Sequence, residues 1–144
     1  MGVFAVGALA WPPVLRAVNF KYDLRRVGMV KDTIHTTVPD TLYARGVKLL
    51  NEREYNEALR ILRPYEDRNT AVAMLSLGHD EQAYEVLCRL EEEATVEYLK
   101  AVACARMGRV EEGKAAFRRA CELQPNFEYR GNLDPEIREL ITTQ

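Results

Sequence analysis

From residue 39 to 144 the apolar side chains recur every three or four positions, the spacing of one face of an α-helix. Before Pro39 the spacing differs. Val18, Phe20, Tyr22 and Leu24 alternate with polar neighbours, the period of a half-buried strand. The pattern predicts a mainly α body over 39–144, preceded by an N-terminal arm, 1–38, of extended or β character that turns at Gly28. A two-stranded hairpin is only marginally stable alone in water. The arm therefore packs on the helical body, pairs with another chain, or is the remnant of a larger domain.

Within the body three helix–turn–helix units align. Gly46 and Ala58, Ala71 and Ala83, and Ala101 and Gly113 each lie twelve residues apart. Four residues past each second small residue stands a large apolar one: Leu62, Leu87 and Phe117. Two helices joined by a tight turn approach closely where facing side chains are tiny, and a larger residue one turn on fills the widening gap. Pro64 should end or bend the second helix early. At the C-terminal end, Gly131 and Asn132 predict a turn. Asp134 and Pro135 then predict the start of a capping helix, with Ile137, Leu140 and Ile141 on its apolar face.

The third unit, with Tyr98, Ala101, Gly108, Phe117, Ala120 and Pro125, resembles the tetratricopeptide repeat family. Gly113 stands where that family usually has alanine. Gly46, Tyr55, Ala58 and Leu62 carry the likeness in the first unit, and Ala71, Gly78, Ala83 and Leu87 in the second, so it covers about residues 40–127. The family period is about 34 residues. Here Ala58 to Ala83 spans 25 and Ala83 to Gly113 spans 30, which predicts helices clipped at 63–71 and 91–95. The resemblance implies an array of about three helical hairpins with a C-terminal capping helix. It also implies that the first helix of each hairpin lines a concave groove for a peptide or partner surface. On this sequence those groove positions are Tyr43, Val47 and Asn51; Arg68, Val72 and Ser76; and Tyr98, Val102 and Arg106. Tyr43 and Val47 stand where the subfamily that clamps peptide carboxylates has a Lys and Asn set, so that specificity is not expected. The phrases "RILRPYEDRNTAVAMLSL" and "RGNLDPEI" are similar to repeat regions of bacterial cell-envelope proteins.

Charge changes the picture more than bulk composition does. The chain has 144 residues, 47% hydrophobic and 29% charged, with a net charge of −2. That is enough for a core without disulfides and gives no bulk attraction to nucleic acid. Residues 1–31, however, carry +4 and the remainder about −6. A basic arm on an acidic body suits an acidic partner or a solvated segment. The apolar run from Val3 to Trp11 has no basic residue before it, ends at Pro12 and Pro13, and is too short to span a membrane, so membrane association is not expected. It reads as a hydrophobic strand or a docking segment, or as the remnant of a once larger domain, ahead of a targeting segment. Cys88, Cys104 and Cys121 lack metal-ligand spacing and fall among apolar neighbours, so each is expected to be a small buried hydrophobe with a free thiol. That fits a reducing, cytoplasmic compartment; the envelope likeness makes the periplasm the alternative.

Catalytic signals are sparse. Ser76, the single serine, lies in a predicted helix without the strained elbow that serine hydrolases use. His35 reads as a strand-surface residue, and His79 falls in a turn beside Asp80 and Glu81 with too few further ligands for a metal. There is no phosphate-binding glycine loop. The sequence predicts no enzyme, no cofactor and no metal. It predicts a protein-interaction module; the alternative is a structural subunit that assembles through its arm, residues 1–38, by strand pairing or self-association, with another chain or a copy of itself.

Overall fold

The computed structural model describes residues 41–144, and over that span the chain is α-helical apart from one 3₁₀ turn and short connections. The arm expected over 1–38, with its alternating strand and His35, lies outside the described residues. The described residues divide into two compact units, 41–79 and 80–144.

In the first unit, α1 (Thr41–Asn51) packs on α2 (Tyr55–Leu62), and α2 packs on α3 (Arg68–Ser76). Val47, Leu50, Leu59, Leu62 and Leu75 are buried. Gly46 allows the close approach of α1 and α2: a Cβ there would lie 2.9 Å from both Ile61 Cγ2 and Leu62 Cδ2. The turn between these helices closes through Glu54 N–H to Leu49 O, 2.9 Å, with Arg53 in the left-handed region at φ 68°. Pro64 ends α2 as its sequence position predicts. Without an amide hydrogen it sits in a 3₁₀ turn, Arg63–Tyr65. Asp67 then starts α3 with a capping box. Its carboxylate accepts from the Thr70 amide at 3.0 Å, and Thr70 Oγ1 accepts from the Asp67 amide at 3.2 Å. The same Oγ1 donates to Leu62 O at 2.6 Å, tying α3 to the end of α2.

The second unit comprises α4 (Asp80–Cys88), α5 (Ala94–Met107), α6 (Val110–Leu123), α7 (Asn126–Leu133) and α8 (Pro135–Thr142). The centre is α5, which packs against α4, α6 and α8. Tyr98, Ala101, Val102, Ala103 and Cys104 on it are wholly buried, so apolar surface runs nearly all round the helix. Gly108 ends α5 at φ 77°, letting the Arg109 amide reach Cys104 O at 2.9 Å. The close approach at Gly113 is also present: a Cβ there would meet Leu140 Cδ1 at 3.0 Å and Cys104 Cβ at 3.1 Å.

Two expectations need correction. Gly131 and Asn132 do not form a turn. They lie in α7, a helix that Pro125 precedes rather than forbids. A Cβ on Gly131 would fall 2.4 Å from Phe117 Cζ, so glycine is there to admit a ring, not to bend the chain. Cys88 is exposed at the end of α4, whereas Cys104 is buried and Cys121 intermediate; all three are free. The final helix follows its signals: Asp134 accepts from the Glu136 amide at 3.0 Å, Pro135 takes the first turn, and Ile137 and Leu140 are buried.

Candidate functional site

Most residues assigned by resemblance to a groove are packed away from solvent. Tyr43, Val47, Val72, Ser76, Tyr98 and Val102 are buried, Asn51 and Arg68 are half-buried, and the Arg106 side chain is only 7% exposed. The structure gathers them as core and as internal polar networks, within their respective units, rather than as an open surface.

Each of the two tyrosines donates to an aspartate that caps a later helix. In the first unit the Tyr43 hydroxyl donates to Asp67 Oδ2 and accepts from Asn69 Nδ2 at 3.0 Å, while Tyr65 packs edge-on with ring centroids 4.7 Å apart. In the second unit the Tyr98 hydroxyl donates to Asp134 Oδ2 at 2.8 Å. Phe127 stacks on that ring at 5.0 Å, and the Arg130 guanidinium lies 5.2 Å from its centroid. Burial, then the neighbouring aspartate, pushes both phenols above their ordinary values. Burial pulls Arg130 down to about 10 against the opposing pull of Asp134.

Arg106 joins three helix ends. Its Nε and Nη2 grip Glu136 at 2.7 and 3.2 Å, and Nη1 holds Asp80 Oδ1 at 3.1 Å. Asp80 and Glu136 sit in the first turns of α4 and α8, and Arg106 in the last turn of α5, so each charge also opposes the dipole end on which it lies. Burial lowers the Arg106 pKa, and Asp80 counters that. A buried, fully partnered ion set of this kind holds elements in register.

Two features face outward in the second unit. One is an open depression of about 560 Å³ lined by Glu81, Tyr84, Glu85, Cys88, Arg89 and Arg109. Arg109 lies 5.2 Å from the centre of the Tyr84 ring and 3.9 Å from Glu81, so the depression already pairs its own charges. The other is the outer face of α7, where Tyr129 and Leu133, one helical turn apart, are 71% and 66% exposed. Leu123, ending α6, is 40% exposed. Sequence reasoning missed this face because it took Gly131 and Asn132 as a turn. Helical spacing of Phe127 with Gly131, and of Tyr129 with Leu133, was the available signal.

Ser76 and Cys104 are held in structural settings. Ser76 Oγ donates to Val72 O at 2.8 Å within its own helix. Burial raises the Cys104 pKa to about 11, the opposite of activation. Among the described residues, no group of three or more His, Cys, Asp or Glu side chains is placed to hold a metal ion, and no helix is long and apolar enough to cross a membrane. No protein-family model, curated protein or solved structure matches the chain.

Proposed function

We propose that this chain is a non-enzymatic docking module for another protein, built on helical hairpins of tetratricopeptide-like arrangement. The observation that carries the reading is the pair Tyr129 and Leu133 on the solvent side of α7. Large apolar groups at that exposure are poor for solubility and good for contact, and tyrosine contributes much of the binding energy in protein interfaces. The docking surface is therefore α7, and within its own unit the buried Tyr98 and Val102 and the enclosed Arg106 act as its scaffold. Residues 80–144 carry nine basic and fourteen acidic side chains, a net charge of −5. Glu128, next to Tyr129, is exposed and has no ion-pair partner among the described residues. The complementary occupant is a segment that combines apolar and basic side chains, drawn in by the acidic field.

The test compares wild type with the double variant Tyr129→Ala/Leu133→Ala. Proteins retained from lysate by each are identified, then purified and titrated. We expect at least one purified partner whose affinity falls by about tenfold or more in the variant. Equal binding of every purified partner to both forms would remove α7 as the docking surface.

A further inference from the structure

The occupant whose chemistry fits this face is present in the sequence itself. We propose that residues 16–26 of a second copy of the chain, "RAVNFKYDLRR", dock on the Tyr129–Leu133 face, so that the module assembles with itself. This rests on the reading of α7 as a docking surface and names what it receives.

Three observations favour it. The first is charge. Residues 16–26 hold Arg16, Lys21, Arg25 and Arg26 against Asp23 alone, a net +3, facing a unit of −5 in which Glu128 is exposed and, among the described residues, has no ion-pair partner. The second is pattern. In an extended segment the even positions share one side. That side reads Arg16, Val18, Phe20, Tyr22, Leu24, Arg26: an apolar row with an arginine at each end. The third is spacing. Side chains two apart on an extended chain are about 6.6 Å apart. Residues four apart on a helix are separated by about 6 Å along its axis. Phe20 and Tyr22 can therefore engage Tyr129 and Leu133 together, and the exposed Glu128 beside Tyr129 offers an acidic contact to the segment's basic side chains. Aromatic and arginine side chains are the groups that contribute most at such contacts.

The test is the light-scattering mass of the full chain across a concentration series. Four forms are compared: wild type, Tyr129→Ala/Leu133→Ala, Phe20→Ala/Tyr22→Ala, and the combination. Circular dichroism checks that the α7 variant, altered only at exposed positions, keeps its helix. We expect wild type to approach twice the 16.5 kDa chain mass. Each double variant should weaken the dimer by about tenfold or more, and the combination by little beyond either, because both pairs belong to one contact. A wild-type chain that stays monomeric overturns the proposal. So does a dimer indifferent to either pair. A monomer whose residues 16–26 exchange amide hydrogen faster once Tyr129 and Leu133 are truncated places the segment on its own chain and likewise overturns a second copy. If self-assembly is absent but a purified heterologous partner still needs Tyr129 and Leu133, the self-recognition falls and the docking reading stands.

Discussion

Tyr43 in the first unit and Tyr98 in the second occupy the same kind of place. Each projects from the first helix of a packed helix pair, α1 with α2 and α5 with α6, and each gives its hydroxyl proton to an aspartate that caps a later helix, Asp67 for α3 and Asp134 for α8. One carboxylate therefore sets both the start of a helix and its register against an earlier one. The surroundings differ. Tyr43 shares its hydroxyl with the Asn69 amide and meets Tyr65 at its edge, whereas Tyr98 is wholly buried beneath Phe127 and Arg130. The second unit adds the Arg106 ion set, which fastens α8 at another point. The comparison teaches that a side chain placed like a groove residue becomes core when a later helix caps itself on it.

Breaking the extra fastening of the second unit should have the largest effect. Arg106→Met leaves the buried Glu136 carboxylate without its guanidinium partner, and Asp80 without one of its contacts. We expect a loss of about 3–5 kcal/mol in urea unfolding, the usual consequence of orphaning a buried charge. A loss below about 1 kcal/mol would mean that the ion set is replaceable by packing.

Next comes the ring fit beside Tyr98. Gly131→Ala drives a methyl into Phe117, whose Cε1 would lie 2.5 Å away. Overpacking of this kind costs about 1–3 kcal/mol. An unchanged midpoint would show that Phe117 has room to turn aside.

The two tyrosines themselves sharpen the comparison. Tyr43→Phe and Tyr98→Phe each remove one buried hydrogen bond, with about 1 kcal/mol expected for either. Their alkaline behaviour adds a sign. Both phenols are raised above 10.0 in the fold, so the unfolded chain ionises first as pH rises. The stabilisation is complete below that value and declines above it. Arg130, lowered to about 10, opposes this trend over the same range, since its penalty is relieved once it loses its proton. Tyr98→Phe should therefore lose less stability than wild type between about pH 10 and 11, where Arg130 is common to both proteins. A steeper loss in the variant would reverse the assignment.

The smallest effect is chemical rather than energetic. Cys104, raised to about 11, holds about a hundredth of the thiolate of an ordinary thiol with a pKa of 9.0 at pH 8. Alkylation of the folded chain should thus reach the exposed Cys88 well before Cys104, and mass spectrometry reads the order. Equal rates would require the α4–α5 contact to open readily.

Much of the fold was legible because close packing leaves marks. Gly46 and Gly113 stand where helices touch, Gly108 where the backbone needs a positive φ, and Asp134–Pro135 where a helix begins. The turn at Arg53 left no such mark, since a non-glycine residue adopts φ 68° there. α7 was hidden for another reason. Pro125 and Gly131 are breakers by local rule, yet the proline precedes the helix and the glycine serves the Phe117 ring. The burial of the groove positions was not legible because periodicity shows which face of a helix is apolar but not what covers it. The covering residues, Asp67 and Asp134, lie 24 and 36 positions from their tyrosines, beyond any local pattern.

The fold presents Tyr129 to solvent and encloses Tyr43 and Tyr98. Tyrosine nitration of the folded full chain, diluted until it is monomeric so that no second copy covers Tyr129 and followed residue by residue in time by mass spectrometry, tests it most directly. We expect Tyr129 to react first and Tyr43 and Tyr98 last, with Tyr98 modified only on unfolding. Nitration of Tyr43 and Tyr98 at the rate of Tyr129 would contradict this and restore an open face on each of the helices that carry them.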